Sequence, residues 1–246
     1  MGGTLLNSFT VLLGSSVGLL IGNRLPARIQ ESVMTGLGLV TLVVGFSNAN
    51  ETGNIILPLL SLVIGAIIGE LLQLDVRLEH FAGWLQRRVQ GTVAESAATT
   101  DRRARFIQGF VTASLVFCIG PLAFVGSIQD GMGLDSGFEQ LAIKSTLDLF
   151  ASMAFAASLG IGVLFSVLTV LGVQGGLALL GALAGDFMTD PMVNEMTAVG
   201  GLILLGLALV LLDIKKPRMV NFLPGLLIAP ILVELGTLLG INIYPL

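Results

Sequence analysis

The sequence predicts an all-α polytopic membrane protein. About eight transmembrane helices are expected, with inverted three-helix repeats flanking a central two-helix unit. Three observations carry this. Apolar runs of about 20 residues, the length a bilayer crossing requires, recur along the whole chain. Of its 246 residues 54% are hydrophobic and only 11% charged, with mean hydropathy +0.94; a soluble domain carries about a quarter charged residues. Finally, the first and last parts of the chain echo one another in glycine, proline and glutamate placement.

The first repeat is residues 1–74. Its first span, roughly 4–22, holds Gly14, Gly18 and Gly22 at four-residue spacing, a ridge that lets another helix approach closely. The ridge serves either packing within one subunit or a homodimer. The N-terminus lacks the positive start of a signal peptide, so this span is read as retained. Asn23-Arg24-Leu25-Pro26 ends it, because proline cannot continue a helix. Span two, roughly 31–48, is dotted with Gly36, Gly38 and Gly45. Span three, roughly 55–74, carries Glu70 near its end, where an acid opposes the helix dipole and is expected at the aqueous interface.

Residues 75–105 form the one long polar segment. In DVRLEHFAGWLQRRV, Leu78, Phe81, Trp84 and Leu85 share a helical side, which predicts an in-plane amphipathic helix with Trp84 near headgroup level. His80 is expected on its surface. GTVAESAATTDRRAR, which follows, reads as loop.

The central unit, 106–159, comprises span four (roughly 106–127) and span five (roughly 139–158). The second repeat, 160–246, comprises spans six (about 162–185), seven (193–213) and eight (221–241).

The basic residues fix the orientation. Arg24 and Arg28 follow span one; Arg77, Arg87, Arg88, Arg102, Arg103 and Arg105 follow span three; Lys215, Lys216 and Arg218 follow span seven. With eight spans all these loops fall on one side, the cytoplasmic one by the positive-inside rule, and both termini face out. The other loops carry Glu51, Asp130, Asp135, Asp186 and Asp190.

The repeat aligns VLLGSSVGLLIG (11–22) with VLGVQGGLALLG (170–181), and IQESVMTGLGLVTL (29–42) with VNEMTAVGGLILLG (193–206). ILPLLSLVIGAIIGELL (56–72) aligns with FLPGLLIAPILVELGTLL (222–239). Glu31 and Glu70 share their spacing with Glu195 and Glu234, with Pro58 and Pro224 between. The copies are an odd number of spans apart, so they face opposite ways across the bilayer. Secondary transporters often use this plan, with the solute site near the midplane at helix breaks.

The chemistry concentrates in GPLAFVGSIQDGMGLDSGFEQLAIKSTLDLFAS (120–152). Gly120-Pro121 interrupts an apolar run, and such irregular backbone needs burial or water. Gln129-Asp130-Gly131 reads as a polar tip, where Asp130 is either a turn residue or part of a path. Gln140, Lys144, Asp148 and Ser152 then stack on one helical face. An ionisable group in a membrane costs about 2.5–3.5 kcal/mol, so it has a partner or lines water. Lys144 and Asp148 either pair for structure alone or line a polar cavity and exchange partners as a proton, cation or anionic solute binds. Ser127, Gln129, Asp130 and Ser145 would line the path.

One cysteine, Cys118, and one histidine, His80, leave no metal-ligand cluster and no Ser/His/Asp set. No phosphate-binding loop appears. An enzyme, a cofactor and a nucleic-acid partner are therefore not expected. The expected function is secondary transport of a small polar or ionic solute. An oligomeric channel and a non-transporting scaffold are the alternatives.

The stretches GSIQDG (126–131), KSTLD (144–148) and GIGVLFS (160–166) resemble the bacterial membrane family labelled "domain of unknown function 554". GNRLPARIQESVMTGLGLVTLVVG (22–45) and VLGVQGG (170–176) resemble it too. The similarity runs over essentially the whole chain. It implies a bacterial inner-membrane protein with several spans and lends no established site. The chain departs at Leu149-Phe150, where the family pattern implies a smaller residue.

Overall fold

The computed structural model describes residues 1–22, 26–90, 97–118, 121–184 and 189–240. Among these it has ten α-helices and no strand: α1 (Gly2–Gly22), α2 (Ala27–Ala49), α3 (Ile56–Leu72), α4 (Leu74–Gln90), α5 (Ala97–Cys118), α6 (Pro121–Met132), α7 (Asp135–Leu159), α8 (Gly162–Ala184), α9 (Asp190–Leu211) and α10 (Pro224–Leu238). A short 3-10 turn, Met219–Phe222, leads into α10. Arg24, Gly120, Asp186 and the first part of the 91–105 segment lie outside the described residues.

Among the described residues, five helical stretches are long and apolar enough to cross a membrane: α1, α7, α8, α9 and Met219–Leu238. The number is seven if each of two bent pairs crosses as one unit. These pairs are α3 with α4, bent by 57°, and α5 with α6, bent by 81°. The apolar part of α2, Met34–Ala49, is shorter.

Small residues set the packing, because in lipid the close approach of backbones replaces hydrophobic exclusion as the driving force. On α1, Gly3 abuts Leu141, Gly14 abuts Leu149, Gly18 abuts Met153 and Gly22 abuts Ala157 of α7. The two helices therefore run parallel, and the glycine ridge is spent inside the chain. On α8, Gly162 abuts Phe106, and the Ser114 hydroxyl of α5 donates to Thr169 Oγ1 at 2.9 Å, so α5 and α8 also run parallel. Further along α8, Gly181 meets Ile128, and Ala178 meets Gly131, on α6.

The outer helices pair in opposite directions. Gly38 of α2 lies against Leu211 and Leu212, and Gly45 against Gly201 and Leu205, so α2 is antiparallel to α9. Gly65 of α3 meets Gly225 and Gly69 meets Asn221, so α3 is antiparallel to α10.

Three expectations need correction. The loop expected through residue 105 is helical from Ala97, because Ala and Arg favour helix and extend α5 at its N-terminal end. Span four is two helices meeting at 81° instead of one interrupted run. Gln129-Asp130-Gly131 is helical; the chain reverses after it at Gly133, whose φ of +80° suits glycine.

The amphipathic segment is α4, but its apolar side divides. Ala82 and Leu85 are buried with Phe106 and Phe110 of α5, and Leu78 packs partly with them. Phe81 and Trp84 stay exposed and stack at 5.9 Å, with Arg88 over the indole at 5.7 Å. Helix α4 is thus both a brace for α5 and an aromatic outer face. His80 is exposed.

Candidate functional site

The residues Lys144 and Asp148 lie one turn apart on α7, on the face that also carries Leu141, Ser145 and Ser152. Both are buried, with side chains 8% exposed, and they form an ion pair. The i, i+4 spacing on a straight helix brings the two groups together, and burial strengthens their attraction. The pair is closed on itself.

Asn7 completes this centre from α1. It is fully buried and sits beside the Asp148 carboxylate as a hydrogen-bonding neighbour. Cys118, the last residue of α5, lies within electrostatic range of both Lys144 and Asp148. The α5–α6 break is therefore close to the pair.

The serines nearby bond to their own helices. Ser145 Oγ donates to the Leu141 carbonyl at 2.6 Å and Ser152 Oγ to the Leu149 carbonyl at 3.0 Å. Ser127 is fully buried on α6 and its hydroxyl lacks a partner; the preceding Gly126 rests on Gln140 and Leu141 of α7.

Gln129 and Asp130 are drawn elsewhere. Gln129 Oε1 accepts from Ser136 Oγ at 3.1 Å and Gln140 Nε2 at 3.2 Å, which clamps the α6–α7 hairpin. The Asp130 carboxylate accepts the Gly3 and Thr4 amides at 3.3 Å each and lies 3.2 Å from the Met1 ammonium. It satisfies otherwise orphaned donors at the start of α1 and matches the positive end of its dipole. Among the predicted path residues, then, Lys144, Asp148 and Ser145 stay together, while Gln129 and Asp130 hold helix ends. Pro121 begins α6. Phe150 points outward, 63% exposed.

Four buried polar residues stand out beyond those expected. Asn7 stands beside Asp148, and Ser15 and Gln174 have buried side-chain polar atoms without partners. Glu195 is fully buried on α9 and accepts Thr52 Oγ1 at 2.7 Å and the Gly53 amide at 2.9 Å. Their signal in the sequence was a lone polar residue inside an apolar span, which is costly unless it has a task. Glu195 differs from its counterparts Glu31, Glu70 and Glu234, all exposed. Glu70 pairs with Arg218 at 3.1 Å. The matched acid spacing thus does not produce matched environments.

A cleft of about 480 Å³ opens at the basic end of the bundle. Lys216, Arg218 and Asp75 stand among its lining residues, and Gln108, Thr112 and Leu115 line it along α5. Neither Lys144 nor Asp148 lines it. It ends one turn short of Cys118.

Helices of spanning length around an interior ion pair define a multi-spanning membrane protein with a buried polar centre. The chain matches the family described as "Protein of unknown function (DUF554)" over residues 2–234, and it belongs to that family. It is 34% identical to "Uncharacterized protein YqgA" of Escherichia coli (strain K12) over 227 residues, 92% of this chain and 94% of the relative. It is 26% identical to "Uncharacterized membrane protein YdfK" of Bacillus subtilis (strain 168) over 237 residues, 95% and 96% of the two chains. No solved structure matches it significantly.

Proposed function

We propose that the protein is a secondary transporter of a small polar or ionic solute across the bacterial inner membrane. It works by alternating access around the Lys144–Asp148 pair. The observation that carries this reading is the pair itself: an acid and an amine buried together in a helix of membrane-spanning length, where apolar residues would be cheaper.

Other features support it. Counting α2 and each bent pair as one crossing gives eight spans. The antiparallel pairing of α2 with α9 and α3 with α10 is what inverted repeats require. The cleft is lined by Asp75 near the start of α4, residues 104–115 of α5 and the basic 216–220 loop; by the positive-inside rule the basic end is cytoplasmic and the N-terminus, held by Asp130, is outside. The cleft is then the cytoplasmic vestibule, and the closed ion pair is its inner barrier.

The test is reconstitution into liposomes. A transporter gives saturable counterflow of a labelled ion or small acid that stops when Lys144 and Asp148 are replaced together. Conductance without counterflow would establish the channel. Absence of both, with loss of cellular function from surface changes alone, would establish the scaffold.

A further inference from the structure

Resting on that reading, we infer that the cleft at the basic end is a docking site for a zwitterion with an apolar body, an α-amino acid whose side chain is aliphatic, thioether or aromatic. The ligand's ammonium meets Asp75, its carboxylate meets Lys216, and its side chain lies on the wall between α5 and α9. This gives the solute entering the vestibule a chemical class.

The walls call for an apolar body. The cleft holds about 480 Å³, within the size range of small-molecule sites. Ile107, Val111 and Leu115 line it from α5 at four-residue spacing and so share one helical side; Leu207 and Val210 line it from α9. Gln108 and Thr112 form the neighbouring strip of α5 and add neutral hydrogen-bonding groups. Apolar walls with a few polar groups in fixed places orient a ligand of mixed character. A bare inorganic ion would gain nothing from them.

The charges at the mouth select a zwitterion. Asp75 stands in the first turn of α4, its backbone amide held by Oδ1 of the fully buried Asn221 at 2.9 Å. Its side chain is only 15% exposed, and the Arg218 guanidinium paired with it is 3.8 Å away, beyond hydrogen-bond length. Among the described residues that loose pair is the one polar contact of the carboxylate. Arg218 itself is turned to Glu70 at 3.1 Å. A largely buried carboxylate calls for a close donor, and an ammonium brings three N–H groups. Lys216 is the opposite case. It pairs with Asp213 at 3.0 Å, and both side chains are largely exposed. Such a surface pair contributes little, so a ligand carboxylate takes the lysine and returns Asp213 to water at small cost.

Every charge is then matched. Arg218 keeps Glu70, Asp75 gains the ammonium and Lys216 gains the carboxylate. A simple anion would leave Asp75 without a donor and set a second negative charge near it. A simple cation would bring the same conflict to Lys216 and Arg218. Like charges brought together in this way are what a binding site rejects.

The experiment uses the full chain purified in detergent, with equilibrium dialysis of radiolabelled L-leucine, L-methionine and L-phenylalanine. At least one should bind saturably. The tightest binder is then set against its deaminated acid, its decarboxylated amine and glycine, which lack the ammonium, the carboxylate and the apolar body in turn. Each should compete at least about tenfold more weakly. Asp75→Asn should weaken the amino acid about tenfold and leave the deaminated acid unchanged. Lys216→Met should weaken the amino acid and leave the amine unchanged. A merely structural residue would move both ligands of each comparison together. Binding of none of the three amino acids overturns the inference. So does a deaminated acid or an amine that binds as tightly as the amino acid, which would make the cleft an anion or a cation site. Protein that binds none of the three but retains phosphatidylglycerol through purification would make it a lipid seat, and the inference falls. The wild-type series decides even if the variants fail to fold. Liposomes separate the two readings. Amino-acid binding without any counterflow keeps the docking site and removes the transporter. Saturable counterflow of another solute, by protein that binds no amino acid, does the reverse.

Discussion

Helix α1 packs on α7 much as α8 packs on α5 and α6, but the two partners are built differently. Helix α7 is continuous from Asp135 to Leu159 and carries the ion pair. Its opposite number is broken: α5 stops at Cys118, and α6 leaves at 81°. Between Phe106 and Cys118 that partner has no charged side chain. An unbroken helix satisfies its own backbone, so it can spend burial on side-chain charges. A broken helix brings polarity through its freed backbone groups. The two halves therefore present side-chain and main-chain polarity to the same region. Ser15 on α1 and Gln174 on α8, which align in the repeat expected from the sequence, are both buried with unpartnered polar atoms.

The largest expected effect breaks the charged side. Lys144→Ala strands Asp148 and should cost about 3–5 kcal/mol. Lys144→Met/Asp148→Leu should return stability to within about 1 kcal/mol of the parent while transport stays lost. Thermal or denaturant unfolding in detergent, read beside liposome flux, separates the two. A double variant as unstable as Lys144→Ala would mean that the pair is structural.

Next comes the packing symmetry. At Gly18 a Cβ would collide with the Met153 carbonyl, and at Gly181 with that of Ile128. Gly18→Leu and Gly181→Leu should each cost about 3 kcal/mol or more. Gly176→Leu, with open space around it, should change unfolding little. Unequal losses at Gly18 and Gly181 would show that the bent partner gives way where the straight one cannot.

Smaller effects sharpen the picture. Gln174→Met removes an amide that lacks partners and should raise stability by about 1 kcal/mol, seen as a higher melting temperature. Gln73 joins α3 to α4 with φ 50° and ψ 49°, a left-handed conformation that costs a side-chain-bearing residue about 1 kcal/mol. Gln73→Gly should recover roughly that much in the same assay.

The polar stripe on α7 was legible because helical spacing alone sets which side chains share a face. Lys144 and Asp148 could be paired on paper for that reason. Asn7 was not, since its relevance depends on α1 lying parallel to α7, a register set by where Gly3, Gly14, Gly18 and Gly22 find small neighbours. Asp130 misled for a related reason: glycine on one side suggested a turn, while its real partners are the amides of Gly3 and Thr4 far away in sequence.

By itself the sequence determined the membrane class, the helical content and the face on which the charges stand, because apolar length and 3.6-residue periodicity are local properties. The tertiary structure alone decided that the pair is closed and that Asn7 stands beside it. Each depends on which backbones can approach one another, and that is settled between helices far apart in the chain.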